Sequence, residues 1–158
     1  MEIEVQNLQP RIGTTALDAN TKDHISLASG KITIVDKVKY ENLIEGESYT
    51  LTGWPVDRET GKIIKDDNGN VVTVEKPFVA TGKEGAVDVT FSFSGEKLAG
   101  KSITVFEELK WEGKVYASHK DTGAEEQSIY IPRAIWLYVN DEASETVLLL
   151  SGMVSCLG

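Results

Sequence analysis

At 158 residues and 41% apolar content, the chain is long enough for one domain with a real core, or one domain and a tail. Its net charge of −9 argues against nucleic acid and against anionic membrane surfaces as partners. The single cysteine, Cys156, has no internal disulfide partner; the acidic opening Met1-Glu2-Ile3-Glu4 is not a signal peptide; no apolar run reaches membrane-spanning length.

Residues 1–10 read as a lead-in ending at Pro10. Residues 11–17 predict a short first strand with Ile12, Thr14 and Ala16 on one face. Residues 18–30 are polar and turn-rich, a loop in which His24 is expected to be solvated. Residues 31–40 form the clearest strand: Ile32, Ile34, Val38 and Tyr40 share a face, and Asp36 sits in the middle of that face. The next strand, over 48–56, is followed by turns at Thr60-Gly61-Lys62 and at Asp66–Asn70, which contains Asn-Gly. Residues 71–74 and 78–81 carry the chain back. Over 85–93, Val87, Val89, Phe91 and Phe93 point inward. Residues 102–111 place Glu107 in phase with Ile103, Val105 and Leu109. Residues 114–119 put Val115, Ala117 and His119 in phase, and the last strand does the same with Gln127, Ile129 and Ile131, leaving Ser128 and Tyr130 outward. Short strands at regular spacing, with turns between and no 3.6-residue period, predict an all-β, antiparallel, immunoglobulin-like β-sandwich over residues 10–132. Residues 133–158 change character, apolar then acidic then apolar, and form a tail of no assigned structure.

Five polar residues therefore occupy apolar strand phases: Thr14, Asp36, Glu107, His119 and Gln127. A buried polar group costs a few kcal/mol unless a partner satisfies it. One such residue is ordinarily a satisfied core group; five on separate strands supply a hydroxyl nucleophile, an acid pair, an imidazole base and a carboxamide electrophile. The chemistry open to them is intramolecular acyl transfer from the Gln127 side chain to Thr14 Oγ1, with ammonia leaving. His119 can take the hydroxyl proton. Asp36 and Glu107, if adjacent and dry, share a proton, and the protonated member can polarise the amide carbonyl.

The set resembles the Thr–Gln ester-bond domains, or VaFE-repeat domains, of Gram-positive surface adhesins and pilus-like stalks. The matching motifs are Ile12-Gly13-Thr14-Thr15-Ala16, Ile34-Val35-Asp36-Lys37-Val38 with Tyr40, Thr104-Val105-Phe106-Glu107, and His119 with Gln127 before Pro132. The resemblance implies an ester between Thr14 and Gln127, with Asp36, Glu107 and His119 in support; strand phase selects Thr14 over Thr15 independently. It further implies a stalk or spacer domain on the cell surface, in the cell wall of a Gram-positive bacterium, that cross-links itself once and is not a turnover enzyme. Its partners would be neighbouring domains of the same surface protein, with no cofactor, no metal, no nucleic acid and no membrane contact by the domain itself. The host ligand is left open. Alternative readings are a Lys–Asn isopeptide stalk module, for which Lys31 falls on the outward phase and the last strand offers glutamine, and a carbohydrate-binding sandwich using Trp54, Trp111 or Trp136. A Thr14–His119 hydrolase fits less well, because the electrophile lies in the same chain.

Overall fold

The computed structural model describes residues 9–27, 30–133, 135–141 and 144–150. Most of the expected lead-in, residues 1–8, lies outside them, as does Cys156. The strands are β1 (Arg11–Asp18), β2 (Lys31–Glu41), β3 (Ser48–Asp57), β4 (Val74–Val79), β5 (Gly85–Ser94), β6 (Lys101–Trp111), β7 (Lys114–His119) and β8 (Ser128–Ile131). The two segments expected at 71–74 and 78–81 are one strand, β4, and a 3-10 turn over Glu125–Gln127 precedes β8 where no helical turn is expected. In the tail, β9 (Ile135–Asp141) and β10 (Ser144–Leu150) pair as an antiparallel hairpin; β9 carries Trp136 and is described by its backbone.

β1, β2 and β5 make one antiparallel sheet in the order β1-β2-β5. β4, β3, β6 and β7 make the other, with β8 also on β6. The inward alternation expected of each strand closes a single core, in which Ile34, Val38 and Phe91 from the first sheet and Leu51, Val105 and Leu109 from the second are fully buried. The result is an antiparallel β-sandwich of the immunoglobulin-like kind.

One feature of the second sheet positions the site. β7 and β8 share a single edge of β6. β7 pairs with Glu107–Trp111 and ends at the pair Glu107–His119, whereas β8 pairs with Lys101–Thr104 and starts at Thr104–Ser128. The chain between them, residues 120–127, leaves the ladder and returns, so the edge of β6 is open beside Val105. β1 packs against this stretch, touching β7, the 3-10 turn and β8.

Three expectations fail here for identifiable reasons. Val115 does not share the inward face with Ala117 and His119: the register slips between Leu109 and Lys110, so Val115 lies opposite Lys110 and is 48% exposed. Ser128 is buried, because its Oγ bonds Thr104 Oγ1 at 2.9 Å and the Ala124 carbonyl at 2.8 Å beneath the returning loop. His24 is half-buried rather than solvated. Its segment pairs in parallel with the edge of β8: Tyr130 N–H donates to His24 O (2.8 Å), Ser26 N–H donates to Tyr130 O (2.9 Å), and His24 Nδ1 lies 3.0 Å from Ser128 O.

Candidate functional site

The five singled-out residues all turn into the sandwich at the open edge of β6. Thr14 on β1 faces Val38, and Asp36 on β2 faces Ala16, so Thr14 and Asp36 are diagonal neighbours on the core face. Glu107 on β6 lies in register between Gly53 on β3 and His119 on β7. Gln127 ends the 3-10 turn, and its Nε2 donates to the Val105 carbonyl at 2.7 Å. The side chain thereby occupies the ladder position that neither β7 nor β8 fills. Asp36, Glu107 and Gln127 are completely buried, Thr14 nearly so, and His119 is half-buried with Nδ1 inside.

What sets these residues apart is what they lack. Thr14 Oγ1, both oxygens of Asp36, both oxygens of Glu107, His119 Nδ1 and Gln127 Oε1 are buried without a hydrogen-bond partner. Among the described residues only Thr52 Oγ1 shares that condition. Buried polar atoms in native proteins are overwhelmingly paired, so seven orphan atoms on five converging residues are unpaired for a reason.

Asp36 and Glu107 come from opposite sheets and touch each other. As two anions they are both acceptors and cannot bond; with one proton between them the contact becomes a hydrogen bond. Burial drives that outcome. It raises Asp36 to about 6, against the opposing pull of its contact with Glu107 and of nearby His119. It raises Glu107 as well, to about 11, reinforced by the contact with Asp36 and by the Asp36 charge. Both acids are raised, so the pair keeps a proton between them at neutral pH, the form able to donate to a carbonyl oxygen.

Two residues that sequence reasoning missed belong to the site. Gly53 leaves the space in which the Glu107 carboxylate lies; a glycine inside a strand pattern is the available signal, since it marks close approach of something else to the backbone. Arg58, just past β3, grips the returning loop: Nε donates to Thr122 O at 2.6 Å, and Nη2 to Gly123 O at 3.4 Å and Glu125 Oε1 at 2.8 Å. Nothing in the local sequence pairs Arg58 with residues more than sixty positions away.

The residues of the rival readings are placed differently. Lys31 is exposed. Trp54 stands edge-on to Phe106 at 6.1 Å with the Lys120 ammonium over its ring, and Trp111 packs against Tyr49 and Tyr116. Among the described residues there is no cluster of metal-ligating side chains.

Solved structures resemble this fold. A bacterial adhesin from Mobiluncus mulieris containing intramolecular disulfide, isopeptide and ester bond cross-links matches in two crystal forms. The first gives a TM-score of 0.67 at 19% identity, covering 80% of this chain and 58% of that one. The second gives 0.64 at 17% identity, with the same coverage. A glycosyl hydrolase family 2 member from Bacteroides cellulosilyticus matches at 0.52 and 14% identity, over 82% of this chain and 16% of its own. The chain thus spans little more than half the adhesin chain it matches, and at these identities the likeness is one of fold. No curated protein sequence matches the chain. The model of the T-Q ester bond containing domain matches residues 10–131, from just before β1 to the end of β8, and the chain belongs to that family.

Proposed function

We propose that the domain over residues 10–132 forms an ester between Thr14 and Gln127 and serves as a self-cross-linked spacer of an extracellular surface protein. The single observation that carries this reading is the set of orphan polar atoms: each is a group that the reaction uses and that a resting core would have paired. The balance is simple. Thr14 Oγ1 attacks the Gln127 side-chain carbonyl carbon, a C–O bond forms and the C–N bond breaks. The hydroxyl proton passes by way of His119 to the departing nitrogen, which leaves as ammonia. The proton shared by Glu107 and Asp36 is offered to Oε1 as negative charge develops there, and returns to the pair when the carbonyl re-forms. The Val105 carbonyl holds the leaving nitrogen by its N–H and so fixes which way the amide faces. Folding supplies the proximity, worth on the order of 7–11 kcal/mol of barrier. Electrophile and nucleophile belong to one chain, so each molecule reacts once, and no cofactor enters.

The surface role rests on the likeness to a cross-linked bacterial adhesin. Neighbouring domains of the same protein are then its partners, in the cell-wall layer of a Gram-positive bacterium, and adhesion resides elsewhere in that protein. The test is intact mass. The folded protein is expected to be one ammonia lighter than its sequence, Thr14→Ala to keep the full mass, and hydroxylamine to open the link. Full mass in the folded wild type would sink the ester; a deficit that resists hydroxylamine would point to an amide.

A further inference from the structure

The seat of the acid pair is made by a residue with no side chain. Gly53 lies in the middle of β3, paired on one side with Val74 of β4 and on the other with Glu107 of β6. Glycine weakens a strand interior, and Gly53 is not among the glycines with positive φ, so backbone conformation does not require it. Space does. A Cβ on Gly53 would stand 2.6 Å from Glu107 Oε1, 2.7 Å from Glu107 Oε2 and 2.6 Å from Phe91 Cζ. Both carboxylate oxygens therefore rest against the bare backbone of β3, beside the Phe91 ring that arrives from the opposite sheet.

We propose that Gly53 is the positioning residue of the acid pair: its missing side chain is the seat that holds the Glu107 carboxylate against Asp36. The proposal rests on the ester reading and deepens it. A methyl group at position 53 takes the place of the carboxylate. Glu107 is flexible and can swing away, so the fold survives, but its two oxygens leave the place where they meet Asp36. Without that contact the shared proton is no longer held at a defined point. The Phe91 ring offers a competing explanation, that glycine is needed only for core packing, and it is separable by mutation.

Intact-mass time courses on freshly purified full chain, with folding followed by near-ultraviolet circular dichroism, decide between these. The wild type is expected to be converted at purification; if it is not, the ester reading falls and the seat with it. Gly53→Ala is expected to fold and to react on the order of 100-fold more slowly, the scale of a misplacement of about 1 Å. Gly53→Ala/Phe91→Leu, which relieves the ring but not the carboxylate, is expected to stay as slow. Full conversion of Gly53→Ala at purification, or its return in the Phe91→Leu double variant, overturns the proposal while leaving the ester intact. Should Gly53→Ala fail to fold, Gly53→Ala/Glu107→Ala answers instead. Recovery of the fold places the conflict at the carboxylate and supports the seat; continued failure assigns the glycine to packing and overturns it.

Discussion

Asp36 and Glu107 meet across the interior of the sandwich, one from each sheet, and no other described residue donates a hydrogen bond to any of their four oxygens. Such a pair is a poor way to stabilise a core, since the desolvation of two acids exceeds what one shared proton returns. It is a good way to keep a carboxylic acid protonated at neutral pH. Removing either acid should therefore harm the reaction more than the fold. Glu107→Ala and Asp36→Ala are expected to remain folded and to form the ester 10²–10³-fold more slowly, about what loss of one oxyanion-stabilising donor costs. His119→Ala should slow it by a similar factor if the imidazole takes the Thr14 proton. Time-resolved mass spectra check all three; normal conversion in each would mean that proximity alone suffices.

The same pair makes the unlinked protein sensitive to base. In the unfolded chain both acids lose their protons near pH 4, about their ordinary values. In the folded protein both are raised, Asp36 to about 6 and Glu107 beyond it. Between those limits the native state binds more protons than the unfolded state, so stability falls as pH rises. The charges of His119 and of Asp88, on the outer face of β5, also act on Asp36, the first lowering it and the second raising it. For Thr14→Ala, the urea midpoint is expected to be highest near pH 4 and to decline above it, most steeply up to about pH 6, where Asp36 ionises. In the same background, Asp36→Asn/Glu107→Gln should flatten the curve between pH 5 and 8. A midpoint that climbs over that range in Thr14→Ala would show that the pair is not held protonated by the fold.

The strand phases that expose this site are legible in the sequence because a period of two is unambiguous wherever one face is buried. Thr14, Asp36, Glu107 and Gln127 are visible as polar residues among Ile and Val, and the structure brings all of them inside. What is not legible depends on the third dimension. Gly53 looks like a weak spot in a strand until the Glu107 carboxylate is seen against it. His24 looks like a loop residue because nothing nearby in sequence announces that its segment will pair with β8. Val115 is misread because a one-residue slip in register inverts its face, and such slips leave no mark in residue type.

Arg58 extends the site to a loop the sequence shows only as polar. Its pair with Glu125 is largely solvent-exposed, at 27% and 83%, so the charges themselves add little. The bonds to the Thr122 and Gly123 carbonyls matter more, because they hold the segment that delivers Gln127. Arg58→Ala is expected to change overall stability by no more than about 1 kcal/mol. In the Thr14→Ala background it should make residues 120–126 more open to limited proteolysis, and with Thr14 present it should slow cross-linking by about tenfold. Arg58→Lys, which keeps the charge but loses the fork, should recover little of either. Unchanged cleavage and unchanged conversion would reduce Arg58 to a surface ion pair.

The last prediction concerns force. In a spacer, tension enters at β1 and leaves at β8. Two connections join these ends. One is non-covalent: the chain leaving β1 runs back to place His24–Ser26 in parallel along β8, with backbone hydrogen bonds of 2.8 and 2.9 Å to Tyr130. The other is the proposed ester between Thr14 and Gln127, closing a loop on the order of 100 residues, for which chain entropy alone predicts roughly 4–5 kcal/mol. The kinetic consequence is larger than the equilibrium one, because extension would then have to break a covalent bond rather than shear a few hydrogen bonds. Single-molecule pulling through the termini of the full chain separates the two. The wild type is expected to lengthen only by the segments outside Thr14 and Gln127. Thr14→Ala should give an additional step that releases the chain between them, at a force set by the parallel pairing. Weakening that pairing with His24→Ala should lower the step force in Thr14→Ala and leave the wild type unchanged. If wild type and Thr14→Ala extend by the same length at the same force, the covalent tie does not carry the load and the spacer role fails.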